Sequence, residues 1–168
     1  MANEFPDLAC CPICRAHKRL LRHGFYDRNA IDEAESYRIP ICRLFCTDCG
    51  KTVSILPTFL LPYFQHAMEY IISILLTYWQ TSVCFCSRQL RRWYERRMYG
   101  KMTEIELFFR LEGDPSIWPM ERKERAINML TMIQALGKAT FARRWWRHQM
   151  SSFMAASLYH GARVAKTE

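Results

Sequence analysis

Four cysteines are spaced to do chemistry. Cys11 and Cys14 enclose Pro12 and Ile13, Cys46 and Cys49 enclose Thr47 and Asp48, and 31 residues separate the two CxxC pairs. Thiolates surround Zn²⁺ tetrahedrally at about 2.3 Å, and two residues between sulfurs let both members of a pair reach one ion. Each pair is therefore a bidentate clamp. Two clamps fill the tetrahedron and leave no position for water, which predicts a single structural zinc ion held by Cys11, Cys14, Cys46 and Cys49. Gly50 and Lys51 follow the second clamp and suit a tight turn with amides directed at sulfur, since glycine accepts positive φ. The competing readings are disulfides and a redox CxxC. Residues 1–8 include Glu4 and Asp7 and lack the apolar segment of a secretory signal, so the expected compartment is cytoplasmic and reducing, where structural disulfides are rare. Neither pair sits in the βαβ unit that a thioredoxin-like motif requires.

The remaining cysteines and nearby histidines are weaker candidates. Cys10 adjoins the first clamp, but the spacing to Cys14 selects Cys11. Cys42 is out of step with Cys46 and reads as a small buried hydrophobe. Cys84 and Cys86 have CxC spacing without the further ligands a second metal site needs. His17 and His23 are ligand types, yet four thiolates already complete the shell.

Positive charge is the second signal. Lys and Arg number 24 against 16 Asp and Glu, a formal +8, which favours polyanions such as nucleic acid or an anionic membrane surface. The charge is clustered. Arg15, Lys18, Arg19 and Arg22, with His17 and His23, follow the first clamp. Arg88, Arg91, Arg92, Arg96 and Arg97 follow Ser87, a good N-cap, in a run of helix formers. Within that run Leu90, Trp93 and Tyr94 form one apolar stripe, predicting a docked helix with Arg88, Arg91, Arg92 and Arg96 on its other side. A recognition helix needs this arrangement, because guanidinium forks bind phosphates or guanine edges. A solvated basic surface helix is the plainer alternative. Arg143, Arg144, Arg147 and His148 make a third cluster, and no acidic residue occurs between Glu124 and Glu168. That tail suits phosphates, a protein partner or a membrane surface equally.

The elements that must position these residues divide into four stretches. Residues 1–9 read as a loosely attached lead-in, residues 10–57 as a zinc-bearing β unit, residues 58–100 as a helical core, and residues 101–168 as further helices. Around residues 24–28 both a turn and a strand fit, residues 29–36 read as a polar loop or short helical turn, and residues 37–45 are strand-like, with Pro40 arguing for an edge. Residues 63–79 carry Phe64, Met68, Ile71, Ile72, Leu75, Leu76 and Trp79, the pattern of a helix buried on most sides. Its apolar stretch falls short of the roughly 20 residues a membrane span needs. His66 and Glu69 fall on its expected solvated side.

Residues 80–82 break that helix, and residues 83–86 suggest a short second turn. Beyond Gly100 the breakers set the helix lengths: one helix over residues 104–111 stopped by Gly113 and Pro115, another over 119–136 capped by Ser116 and stopped at Gly137, and a last over 140–159. The expected fold class is mainly α with a small N-terminal β zinc ribbon, an α+β chain whose helical domain contains a helix-turn-helix-like pair.

The order CPxC, then His23, Gly24, Tyr26 and Arg28 as HGxYxR, then an arginine-bearing strand into CxxCGKT, then Ser54-Ile55-Leu56-Pro57 and Leu61-Pro62, resembles the amino-terminal zinc ribbon of bacterial insertion-sequence transposases and their stand-alone relatives. The resemblance covers residues 10–97. It implies a ribbon followed by a helix-turn-helix that helps recognise transposon ends. Full-length members continue into a catalytic domain, and there this sequence departs.

A ribonuclease-H-type centre needs carboxylates on a sizeable sheet, binding two Mg²⁺ ions about 3.5 to 4 Å apart. The residues after the basic helix read helical; Asp114 falls in a turn, and Glu121 and Glu124 fall in a first helical turn where they complement the macrodipole. The sequence therefore predicts a non-enzymatic DNA-binding protein of mobile-element type, with phosphate contacts from Arg15, Lys18, Arg19, Arg22, Arg88, Arg91, Arg92, Arg96 and Arg97. The alternatives are a protein-interaction adaptor or subunit of a transposase or other nucleoprotein complex, and a nuclease or strand-transfer enzyme.

Overall fold

The structure is a computed structural model that describes residues 8–115, 117–149, 153 and 154. Among them run three strands and then five helices: β1 (Leu20–Ile31), β2 (Ser36–Cys46), β3 (Thr52–Ile55), α1 (Met68–Thr81), α2 (Arg88–Tyr99), α3 (Met102–Leu111), α4 (Arg122–Leu136) and α5 (Lys138–Gln149). The class is α+β, with a small antiparallel sheet in the order β1-β2-β3.

The β1–β2 hairpin is longer than the residue pattern predicts. Residues 29–31 and Ser36 are strand, which leaves only 32–35 as a loop; there Asp32 Oδ1 accepts the amides of Ala34 and Glu35 at 2.9 and 2.8 Å. An aspartate closing its own turn explains why so polar a stretch needs no helix. β1 bulges between Arg22 and Gly24, with Gly24 at φ +112. β3 pairs only with residues 42–45 of β2, so Pro40, opposite Asp27, lies in the part of β2 that β3 leaves uncovered. A proline fits there because the missing N–H breaks no second ladder.

The sheet then captures the chain that follows it. His66 bridges Ile31 in parallel and Ala67 bridges Leu60, while Ala67 N–H donates to Ile31 O at 2.7 Å and Met68 N–H to Phe59 O at 2.8 Å. These bonds close residues 60–67 into a loop that turns at the left-handed Tyr63 (φ 70), and they correct the expected helix start from residue 63 to Met68. Arg28 on β1 donates to the carbonyls of both Leu61 and Phe64 at 2.5 Å. Burial differs between the two parts of the chain. Under the sheet, among the described residues, Ala30, Ile41 and Leu60 form a small buried cluster, with Tyr26, Ile39 and Leu56 partly buried against it.

The helices share one large core. α1 contributes Met68, Ile71, Ile72, Ile74, Leu75, Leu76 and Trp79, α4 contributes Ala126, Met129, Leu130 and Ile133, and Phe108, Phe141, Trp145 and Phe153 pack ring against ring. No helix among the described residues is long and apolar enough to cross a membrane. α1 ends at Ser82, whose left-handed φ of 62 stops the helix, and Thr81 Oγ1 accepts the Val83 amide at 3.2 Å. Residues 83–86 are consequently a loop and not the expected helical turn. The N-cap of α4 is Glu121, which accepts the Glu124 amide at 2.7 Å; Ser116, the expected cap, lies outside the described residues. Gly137 ends α4 as expected, and the expected continuation of α5 to Tyr159 lies outside the described residues.

Candidate metal centre and basic helix face

Both CxxC pairs lie in loops at one end of the sheet, the first before β1 and the second between β2 and β3. The two loops have the same backbone design. Cys11 N–H donates to Ala16 O and Arg15 N–H returns to Cys11 O, at 2.9 and 2.8 Å; Cys46 N–H donates to Lys51 O and Gly50 N–H returns to Cys46 O, at 2.9 and 3.0 Å. The residue four after each leading cysteine is left-handed, Arg15 at φ 65 and Gly50 at φ 64. Glycine takes that conformation without penalty, whereas an arginine is strained by about 1 kcal/mol or more. Thr47 N–H bonds Arg19 O at 3.0 Å and ties the second loop to the first.

The folded loops bring the four sulfurs together. Cys11 and Cys49 Sγ are 3.9 Å apart, Cys14 and Cys46 Sγ are 3.6 Å apart, and all four lie within 4.8 Å of one another. A tetrahedron with metal–sulfur bonds of about 2.3 Å has edges of about 3.8 Å, so the donor set fits a four-coordinate ion. Backbone amides are aimed at the sulfurs: Ala16 at Cys14, Cys49 and Asp48 at Cys46, and Lys51 at Cys49. The amides of Cys49 and Asp48 favour the charged form and bring the Cys46 thiol down to about 7. Ala16 acts in the same sense on Cys14, but desolvation and hydrogen bonds to Cys46, Cys11 and Cys49 push that thiol up to about 12. Four sulfurs this close share protons until a cation displaces them, which is how metal binding comes to release protons.

Cys10 pairs its backbone with His17 and Cys42 is buried at 1 % exposure; neither belongs to the cluster. His17 is also outside it, and the ring of His23 lies 5.7 Å from that of Phe45.

The basic residues after the first clamp are all exposed: Arg15, Lys18, Arg19 and Arg22. Lys18 is left-handed at φ 53, Arg19 pairs with Asp48 at 3.4 Å, and the Arg22 guanidinium lies 4.9 Å from the Phe25 ring. On α2, Ser87 Oγ caps the helix by accepting the Leu90 amide at 3.2 Å, as its residue type predicts. Leu90 and Trp93 pack against the helical core, and Tyr94 and Met98 are within it.

Arg91 corrects the expected arginine face. It is 8 % exposed, its guanidinium lies 3.7 Å from the Tyr78 ring, and it donates to Glu95 Oε2 at 2.5 Å. Glu95 Oε1 in turn accepts the Trp79 indole N–H at 2.9 Å. The guanidinium plane stacks on an aromatic ring and its charge is matched, which makes burial tolerable. Arg97 is half-buried, 5.5 Å from the Trp93 ring. Arg88, Arg92 and Arg96 remain exposed, four residues apart along one face, and no carboxylate pairs with them among the described residues.

Local patterns assign no role to Arg28 or to the pairing of His66 with Tyr94, which join the sheet to the helices. In the third cluster, Arg144 and His148 both engage Glu112, at 2.5 and 2.9 Å. Of the carboxylates considered for catalysis, Glu121 caps α4 and Glu124 supplies the amide that it caps.

Residues 11–93 match a family model described as a domain of unknown function (DUF6431), a stretch that takes in the four cysteines, the sheet, α1 and the first half of α2. No curated protein and no solved structure matches the chain.

Proposed function

We propose that this protein binds DNA through the arginine face of α2, with a four-thiolate zinc ribbon bracing the sheet beside it. The observation that carries the reading is the row Arg88, Arg92 and Arg96, exposed along a helix whose opposite face is anchored by Tyr94, Met98 and the buried Arg91. Guanidinium groups that no carboxylate among the described residues neutralises are ready to displace counterions from phosphate. In this reading α1 and α2 are the helix-turn-helix-like pair, and α2 is the helix that enters the groove. Arg15 supports it from the metal loop: an arginine occupies a left-handed position where glycine costs less, as Gly50 does in the matching loop. Four thiolates in a tetrahedral set favour zinc among the common metals, with iron as the rival that absorbance would reveal. The resemblance to insertion-sequence transposases adds a target class, the ends of a mobile element.

The test is an anisotropy titration of duplex DNA over a series of salt concentrations, on protein whose metal content has been measured. Duplex binding should weaken steeply with salt. Replacing Arg88, Arg92 and Arg96 by Gln should flatten the log–log slope by about 0.9 for each phosphate that is no longer neutralised. A wild-type protein without duplex affinity at low salt would instead favour an adaptor that binds another protein. Phe85 and Val83, exposed on the loop before α2 at 70 % and 49 %, are the features that support that second reading.

A further inference from the structure

We propose that Cys84 and Cys86 form a thiol–disulfide exchange site, closing to a disulfide within the α1–α2 loop by reaction with a low-molecular-weight disulfide such as oxidised glutathione. The two sulfurs lie 3.6 Å apart, already in contact, although only Phe85 separates them in sequence. An extended chain would point the i and i+2 side chains the same way but leave them farther apart; here the chain bends at Phe85 and Cys86 and brings them together. Neither sulfur belongs to the four-cysteine cluster. Cys84 Sγ also contacts Cys86 O at 3.3 Å and Cys86 Sγ contacts Ser87 O at 3.6 Å, while Cys86 packs against the helical core and the Arg91 amide is aimed at its sulfur.

Access and anchoring both favour the reaction. Val83 and Phe85 are exposed on either side of Cys84, which is itself partly exposed, and a small disulfide can approach it. Its ends are fixed by the left-handed Ser82 and the capping Ser87, so loop closure between the two sulfurs has little chain entropy left to lose. The sulfurs are not equivalent. Burial first, and then the neighbouring Cys84, push the Cys86 thiol up to about 11.

Cys84, between the exposed Val83 and Phe85, is the attacking sulfur, and Cys86, packed against the helical core, is the resolving one. The Cys84 thiolate attacks one sulfur of oxidised glutathione, forming a mixed disulfide and expelling a glutathione thiolate, which takes up a proton. Cys86 then loses its proton, attacks Cys84 Sγ and expels the second glutathione thiolate, which is protonated in its turn. Two protein thiols are oxidised and one disulfide is reduced to two thiols. The site stands on its own geometry and does not depend on α2 contacting DNA.

Differential alkylation of the metal-loaded full chain tests the site. Cleavage after Lys51 and Arg88 yields a peptide, residues 52–88, that contains Cys84 and Cys86 and no other cysteine. Across a glutathione redox series this peptide should pass from doubly alkylated to unalkylated and two hydrogens lighter, and should return on reduction. Cys86→Ser should trap glutathione on Cys84, while Cys84→Ser should leave Cys86 largely free. A peptide that stays doubly alkylated with oxidised glutathione in large excess overturns the proposal. So does one that stops at a mixed disulfide in the wild-type chain.

Discussion

The Tyr94 hydroxyl meets His66 Nδ1 at 2.6 Å, joining the middle of α2 to the residue that bridges Ile31 of the sheet just before α1. Burial pushes the Tyr94 hydroxyl well up, so the phenol keeps its proton and donates, which places the His66 ring proton on Nε2. Burial also lowers His66 from its ordinary 6.5, so the folded protein holds this ring neutral. Below that value the unfolded chain binds more protons than the folded one, and stability falls as pH falls. Thermal melts between pH 7.5 and 5.5 should show a decline that His66→Gln reduces; an equal decline in the variant would refute the assignment. Tyr94→Phe leaves Nδ1 unpaired and should cost about 1 to 3 kcal/mol at neutral pH.

Arg28 ties the sheet to the loop that leads into α1. Its guanidinium bonds Leu61 O and Phe64 O, both at 2.5 Å, across a chain separation of more than thirty residues. Charged hydrogen bonds contribute about 1.5 kcal/mol or more each, so Arg28→Ala should lower stability by about 3 kcal/mol. Arg28→Lys restores the charge but cannot fork between two carbonyls, and should recover only part of that stability. Denaturant melts of the two variants provide the comparison, and equal midpoints for Lys and wild type would remove the geometric argument.

If α2 binds DNA as proposed, Arg91 serves structure on that helix and Arg92 serves recognition. Arg91 is stacked on Tyr78 and paired with Glu95, whose side chain is 17 % exposed. Truncating one member of such a pair strands the other, so Arg91→Ala should destabilise by about 3 kcal/mol. Its effect on the salt slope of DNA binding, measured at a temperature where the variant is folded, should be near zero. Arg92→Gln should do the reverse, leaving the melting temperature within a degree or two and flattening the slope by about 0.9. If Arg91→Ala flattens the slope as much as Arg92→Gln does, the division of the helix is wrong.

What the sequence makes legible here follows from the range of the interactions. Ligand spacing is local, so the thiolate cluster can be read from two CxxC pairs, and the capping of α2 by Ser87 can be read from one residue type. The same local logic misleads at Arg91, because an i, i+3, i+4 stripe does not reveal that Tyr78 and Glu95 stand ready to receive a guanidinium. It also misplaces the start of α1. The apolar pattern around Phe64 fits a helix, but the bonds of β1 through Ile31 and Arg28, the Leu60–Ala67 bridge and a turn at the left-handed Tyr63 hold that stretch as a loop. Arg15 carries no sequence mark of its left-handed conformation, whereas Gly50 at the equivalent place does. The equivalence of the two loops, position by position, is the signal that points to it.

Metal removal should act on the sheet and spare the helices. Beneath the sheet, among the described residues, Ala30, Ile41 and Leu60 form a small buried cluster, while the helices share a core that runs from Leu61 to Met154. The three side chains of that cluster, with Tyr26, Ile39 and Leu56 partly buried beside them, supply little apolar area for three strands, so in the proposed zinc-bound protein the cross-link between Cys11, Cys14, Cys46 and Cys49 supplies much of the rest; structural four-ligand sites contribute on the order of 10 kcal/mol in small domains. Hydrogen exchange after chelation should therefore show reduced amide protection in β1, β2 and β3, with α1 and α4 still protected. Cys46→Ser should reproduce the pattern without a chelator, because it removes the sulfur that two backbone amides favour as thiolate. Because Arg28 and Ile31 on β1 bond residues 61, 64, 65 and 67, protection should also fall at residues 60–67. Sheet amides that stay protected in metal-free protein would show that the thiolate cluster is not what holds the strands together.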